Sequence, residues 1–298
     1  MNLWKQTWID FWETPIDTRG YCLMRALIGG LFFISLVQYW QRFDDWIVNS
    51  PQVATGVIDL QFIHRSYLSL FHLVEGATAS YILFALLCLP VVLFTLGRGG
   101  RVSALLTYIC FLSLANKNPA VLFGFDEYLG GFLLLFVFYP GMHHYAFKKE
   151  AKEPYLSQGL ETITVRFFQI VFCFRYFAAG LYKPNFMWSD GTVIWQLLNN
   201  YEMQKFDISL FHEYWGVLGW VSWTVKVFEI MFVPLILYRP TRALAIIYGV
   251  LMHLGIGLLT PLMMFSSLMM ACYLVFLPTS WMDNWDRWRQ KVWRQNNA

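Results

Sequence analysis

Charge is what this sequence has least of: 14% of its 298 residues are Asp, Glu, Lys or Arg, against 57% apolar and 19% aromatic. Soluble domains cover their surface with about 25% charged residues, and this chain has too few to do so. Its mean hydropathy of +0.46 points instead to a polytopic membrane protein whose partner is the lipid bilayer. A basic patch is also missing. The net charge is only +3 and the cations are scattered between apolar runs, which argues against a nucleic-acid partner. The five cysteines, Cys22, Cys88, Cys110, Cys173 and Cys272, sit inside apolar runs without CxxC spacing. Neither a disulfide framework nor a metal site is readable from them, and packing between helices is their expected role. The N-terminus "MNLWKQTWIDFWETP" lacks the apolar core of a cleaved signal peptide. With no repeat, low-complexity tract or Pro/Gly/Ser linker, a single domain is expected over residues 1–298.

Apolar length is what the sequence does have. Runs at about 20–41, 78–97, 102–117, 126–144, 163–183, 217–238, 242–260 and 262–278 predict an all-α polytopic bundle of eight transmembrane helices. The last two are parted by "LLTPLM", where Pro261 forces a tight turn or a kink, so seven spans with one broken helix is the alternative. With the N-terminus inside, twelve Lys and Arg residues fall on the inner side: Lys5, then those at 98–101, 148–152 and 239–242, and those from Arg287 to Arg294. Only five, Arg42, Arg65, Lys117, Lys183 and Lys205, fall outside. The positive-inside rule therefore predicts both termini in the cytoplasm of a multi-pass cell-membrane protein. Trp4, Trp8, Phe11 and Trp12 recur at helical spacing and predict a short interfacial helix before the first span. Two outer segments, 42–77 and 184–216, are long enough to build on. The first holds His64, Arg65, His72 and Glu75; the second contains "SDGTVIWQLLNNY", a surface helix that Ser189 or Asp190 could cap.

Each charge inside a span needs a partner, a cavity or a function. Gln169, Cys173, Tyr176, Gly180 and Lys183 follow one another by three or four residues and so share one face of the fifth span. Lys183 lies at its outer end, about 26 Å from Arg166 at the inner one. Asn118 and Asp126 flank the outer turn "NKNPAVLFGFDEY", and His253 falls in the middle to outer half of the seventh span. A common depth predicts that Lys183, Asn118, Asp126 and His253 share an outward-facing pocket. Taken singly, Lys183 snorkels, Asp126 caps a helix, Asn118 makes a turn and His253 packs. Lys226 and Glu229, three residues apart on the sixth span, are expected to pair with each other, and Arg25 has no evident partner.

The stretch "RFFQIVFCFRYFAAGLYKPNFMWSDG", with "NP" and "GFDEYL" upstream and "MHLGIGLLTPLMMFSSLMMA" downstream, resembles the horizontally transferred transmembrane domain (HTTM) family, which includes the vitamin K-dependent γ-carboxylases. Its sharp part is a Tyr-x3-Gly-x2-Lys-x4-Trp run, here Tyr176, Gly180, Lys183 and Trp188; Arg166, Gln169, His253 and the Phe265-Ser266 pair fit as well. The resemblance implies a quinol-linked enzyme without a metal, in which Lys183 is the base that deprotonates vitamin K hydroquinone or another lipid quinol. Oxygen then adds, and the resulting alkoxide takes a proton from the γ carbon of a glutamate, which captures carbon dioxide. It further implies His253 and Asn118 as catalytic neighbours, and Tyr176, Gly180, Trp188, Gln169 and Asp126 around the cofactor. The larger carboxylases continue into an outer domain that binds the substrate propeptide, whereas this chain ends about 20 residues after its last apolar run, so recognition of that kind is not expected. The rival reading is a non-catalytic membrane factor for a lipid, quinone or exported peptide, in maturation or immunity. A transporter ranks third, because no repeat with paired broken helices is visible.

Overall fold

In hydrocarbon a spanning segment must satisfy its backbone hydrogen bonds internally, so an apolar chain of this composition has helices as its economical solution. The computed structural model describes residues 3–48, 68–139, 145, 156–206 and 213–296, and among them every regular element is helical. In chain order the α-helices are α1 (Leu3–Glu13), α2 (Arg19–Gln41), α3 (Ala77–Thr95), α4 (Gly100–Lys117), α5 (Gly124–Phe138) and α6 (Leu156–Tyr182). They continue as α7 (Asn185–Ser189), α8 (Thr192–Asn199), α9 (Trp215–Leu237), α10 (Arg239–Leu259), α11 (Met263–Cys272) and α12 (Thr279–Asn296).

Five of these, α2, α3, α6, α9 and α10, are long and apolar enough to cross a membrane. The protein is thus a polytopic helical bundle. Helices also occupy the expected third and fourth spans, as α4 and α5, and the predicted end of the latter, 140–144, lies outside the described residues. The eighth expected span, 262–278, is not one straight helix: α11 runs into a 3₁₀ turn, Tyr273–Phe276, and α12 leaves at 106°. Pro261 makes a turn and not a kink, because Thr260 Oγ1 donates to Ile256 O at 2.7 Å and accepts from Leu262 N at 3.3 Å, closing the α10–α11 hairpin. His64, Arg65, Lys148, Lys149 and Lys152 lie outside the described residues.

The helices gather into two compact units, Met1–Arg166 and Phe167–Ala298. In the first, α2 packs on α3, α3 on α4, α4 on α5, and α5 returns to α2. Here Arg25, for which the sequence suggests no partner, is fully buried and donates from one Nη to the carbonyls of Phe94 and Thr95. A cation at these last carbonyls of α3 answers the negative end of the helix dipole. In the second unit α9 packs on α10 and α10 on α11, while the short α7 and α8 lie against α9. Its centre is aromatic: Tyr176 stacks on Phe232 at 4.2 Å between ring centroids, and Phe172 meets Tyr273 edge-on at 5.7 Å.

Candidate functional site

The site begins with a missing side chain. Tyr176, Gly180 and Lys183 follow one another at four and three residues along α6, so they share a face. A Cβ on Gly180 would stand 2.8 Å from Ile230 N and 3.0 Å from Glu229 Cβ, so α6 and α9 touch at this level only because Gly180 has none. One turn later the helix stops, since Pro184 disfavours helical backbone at Lys183 and has no N–H of its own. The Lys183 amine then reaches Glu229 and forms an ion pair with it. Both side chains are largely buried, at 17% and 11% exposure. On its other side the amine lies 4.6 Å from the centroid of the Trp188 ring, within cation–π range.

Glu229 therefore does not pair with Lys226, as the i, i+3 spacing predicts. Lys226 Nζ instead donates to Lys183 O at 2.5 Å and to Asn185 Oδ1. It caps the C-terminal end of α6 and holds the corner into α7. In this arrangement the carbonyl of Lys183 is tied to one lysine while its amine is tied to a carboxylate.

The segment after Pro184 covers this pair. Ser222 Oγ donates to Trp188 O at 2.7 Å. Gly191, at φ +88°, comes so close to α9 that a Cβ would lie 2.6 Å from Gly219 N, which leaves glycine as the residue that fits. Asp190 Oδ1 accepts from Thr192 N at 2.9 Å at the start of α8, as expected for a capping residue. That bond holds the exposed Asp190 carboxyl below the usual carboxylate range. Glu229 lies seven residues beyond Ser222, about 10 Å further along α9. Lys183 is thus not at a free outer edge but beneath the α7–α8 cap. Lys205 ties the end of that segment to α10 by donating to Gly257 O at 2.7 Å.

Next to the ion pair runs a chain of three polar side chains in an apolar setting. Tyr176 OH lies 2.5 Å from His253 Nε2 and 2.6 Å from Tyr273 OH. A Cβ on Gly249 would overlap the Tyr273 phenol, so this glycine is what lets the ring cross α10. Each hydroxyl has one proton to donate, so the bonds order either from Tyr273 towards His253 or in reverse. His253 Nδ1 makes no hydrogen bond with the described residues. Tyr176 lies seven residues before Lys183 on the same face of α6, about 10 Å along its axis, so chain and pair follow one another on that face. About two turns before Tyr176 on α6, Gln169 Nε2 donates to Val275 O at 2.9 Å and fixes the 3₁₀ turn that precedes α12.

Of the residues singled out in the sequence, Lys183, Tyr176, Gly180, Trp188, His253 and Gln169 all belong to this second unit. Asn118 and Asp126 belong to the first, each hydrogen-bonded to partners there. Asn118 Oδ1 accepts from Ala120 N at 3.2 Å and its Nδ2 donates to Trp46 O at 3.2 Å, while Asp126 Oδ2 accepts from Phe123 N at 2.9 Å as an N-terminal cap. The residues that the sequence reading misses are Glu229 as the partner of Lys183, and Tyr273. The signal for Glu229 was present, a lone carboxylate deep in an apolar helix, but its nearest cation in sequence was the wrong one. Among the described residues no three His, Cys, Asp or Glu side chains gather as metal ligands would.

Compared with known proteins, residues 13–281 match the family model described as "HTTM domain". Neither the curated proteins nor the solved structures include a match to the chain.

Proposed function

The chain belongs to the HTTM domain family, and on that premise we propose that its second unit is an acid–base site for the weakly acidic hydroxyl of a lipid-borne ring, a quinol by chemical class. Lys183 is its general base and Glu229 the group that shares the proton. The Lys183–Glu229 pair beneath α7 and α8 carries this reading. In apolar surroundings such a pair has two accessible forms, ammonium with carboxylate and neutral amine with carboxylic acid, and the second buries no charge. Lys183 then needs no water to take up its proton before it acts as a base. Glu229 holds that proton, the amine accepts another from the hydroxyl, and the new ammonium stays in place as counter-charge. Trp188 offers a flat apolar face at the amine, and the Tyr176–His253 chain offers a second proton-bearing group nearby, which together suit a ring with one polar edge. When bound, a quinol such as vitamin K hydroquinone would supply that hydroxyl and reducing electrons. In this reading the site opens outward and serves a carboxylase- or monooxygenase-type reaction with oxygen, and carbon dioxide in the former case, on a peptide or small partner.

A non-catalytic second reading draws on the same pair, because Glu229 also stabilises the ammonium, and a charged Lys183 is a binding group for an anionic lipid or exported peptide. The two part on Lys183→Arg, which keeps the charge but is not a neutral base at physiological pH. The assay follows consumption of a reduced naphthoquinol in air by protein in nanodiscs. The enzyme reading expects consumption above a protein-free control, lost in Lys183→Arg and Glu229→Gln. No consumption by the wild type, or full retention in Lys183→Arg, would sink it and leave the binding reading.

A further inference from the structure

The last helix has a face that the site does not use. α12 leaves the apolar segment Met263–Phe276 at 106°, and a helix that leaves a span at such an angle runs along the membrane surface. At about 100° per residue, Trp281, Trp285, Trp288 and Val292 fall within an arc of roughly 60°. The three indoles are 43%, 42% and 56% exposed, and the rings of Trp285 and Trp288 pack together at 5.1 Å. Met282, about 100° from Trp281, is buried and turns towards the body of the unit. Asp283 and Asp286 are centred roughly 160° from the indoles, on the opposite face. Lys291, about 60° from Trp288, borders the indole arc on one side and Arg289, about 40° from Trp285, on the other, where its Nη2 lies 3.7 Å from Asp286; Arg287 is turned towards Asp283, on the far face.

We propose that α12 is an interfacial helix that binds anionic phospholipid headgroups, its indoles at headgroup depth and Arg289 and Lys291 on lipid phosphates. Three features of α12 select this occupant. Indoles favour the boundary between hydrocarbon and water, where the ring is apolar and the N–H stays wet. Arg289 and Lys291 border the apolar arc on its two sides, so long side chains reach phosphates at the level where the rings sit. The acids are confined to the far face, where an anionic surface does not meet them.

The test is hydrogen exchange across residues 279–292 in the whole protein, reconstituted in nanodiscs of phosphatidylcholine alone or with about a third phosphatidylglycerol. Exchange should slow several-fold when phosphatidylglycerol is present, and high salt should reverse that protection in the wild type, a readout that needs no variant. Arg289→Gln with Lys291→Gln should abolish the lipid difference while peptides of α9 and α10 exchange as before. Equal exchange in the two lipids, or protection that survives both salt and the Gln variant, would overturn the proposal. So would equal protection in lipid-free detergent that rises with protein concentration, the sign of a second copy on this face.

Discussion

Lys183 at the end of α6 is paired with Glu229 in the middle of α9, and the contact depends on Gly180, which lets the two helices meet one turn earlier. The pair follows from a backbone approach, so it is sensitive to substitutions that remove no charge. Gly180→Ala should lower stability by about 1–3 kcal/mol, because the new methyl meets Ile230 backbone that cannot yield. Gly216→Ala, also helical but with nothing within 4 Å of a Cβ, should be neutral or slightly stabilising. Thermal unfolding of the two variants in detergent makes the comparison.

Breaking the pair should cost more than removing it. Lys183→Met or Glu229→Leu alone leaves one largely buried charge without its partner, a loss of about 3 kcal/mol. The double variant should recover most of that stability. A double-mutant cycle with no coupling would show that the contact is not an energetic unit.

Lys226 should be independent of Glu229. Lys226→Met removes a helix cap from the carbonyl of Lys183, at a cost of about 1 kcal/mol, and its effect should add to that of Glu229→Leu. Strong coupling between these two would restore the i, i+3 pairing that their spacing suggests.

In the buried chain the central hydroxyl should matter most. Tyr176→Phe strands both His253 Nε2 and Tyr273 OH, whereas Tyr273→Phe removes one bond and leaves Tyr176 with His253. The expected losses are about 2 kcal/mol and about 1 kcal/mol, read from denaturation midpoints in mixed micelles. The reverse order would mean that Tyr273 bonds to something more than Tyr176.

Asp190 sets a pH dependence for the start of α8. Its carboxyl is held below the usual range by the Thr192 amide, so the folded state favours the ionised form. That stabilisation is complete above the unfolded value of about 4 and is lost as pH falls through the lower folded value. Protection of α8 amides, corrected for the intrinsic pH dependence of exchange, should therefore be insensitive to protonation of this group near neutrality and fall in acid, and Asp190→Asn should remove the acid response.

Much of this protein was legible in residue order. Helix positions, the turn at Pro261, the shared face of Tyr176, Gly180 and Lys183, and the capping role of Asp190 all arise from interactions within a few residues, where periodicity and local hydrogen bonding decide. The bend between α11 and α12 was less so: residues 262–278 stay apolar throughout, and the chain turns at Leu277, extended before Pro278, just past the 3₁₀ turn that Gln169 ties through Val275 O.

The sequence by itself determined that the chain is a membrane bundle and that Lys183 ends a helix behind a small-residue face, because burial in lipid and backbone chemistry act on composition and spacing. The tertiary structure decided which carboxylate meets that lysine. Lys226 is nearer to Glu229 in sequence, and Asp126 had been placed at the same depth as Lys183, yet the pairing follows from where helices can approach. That is settled by atoms distant in sequence: Gly180 against Ile230, Gly191 against Gly219, and Gly249 beneath Tyr273.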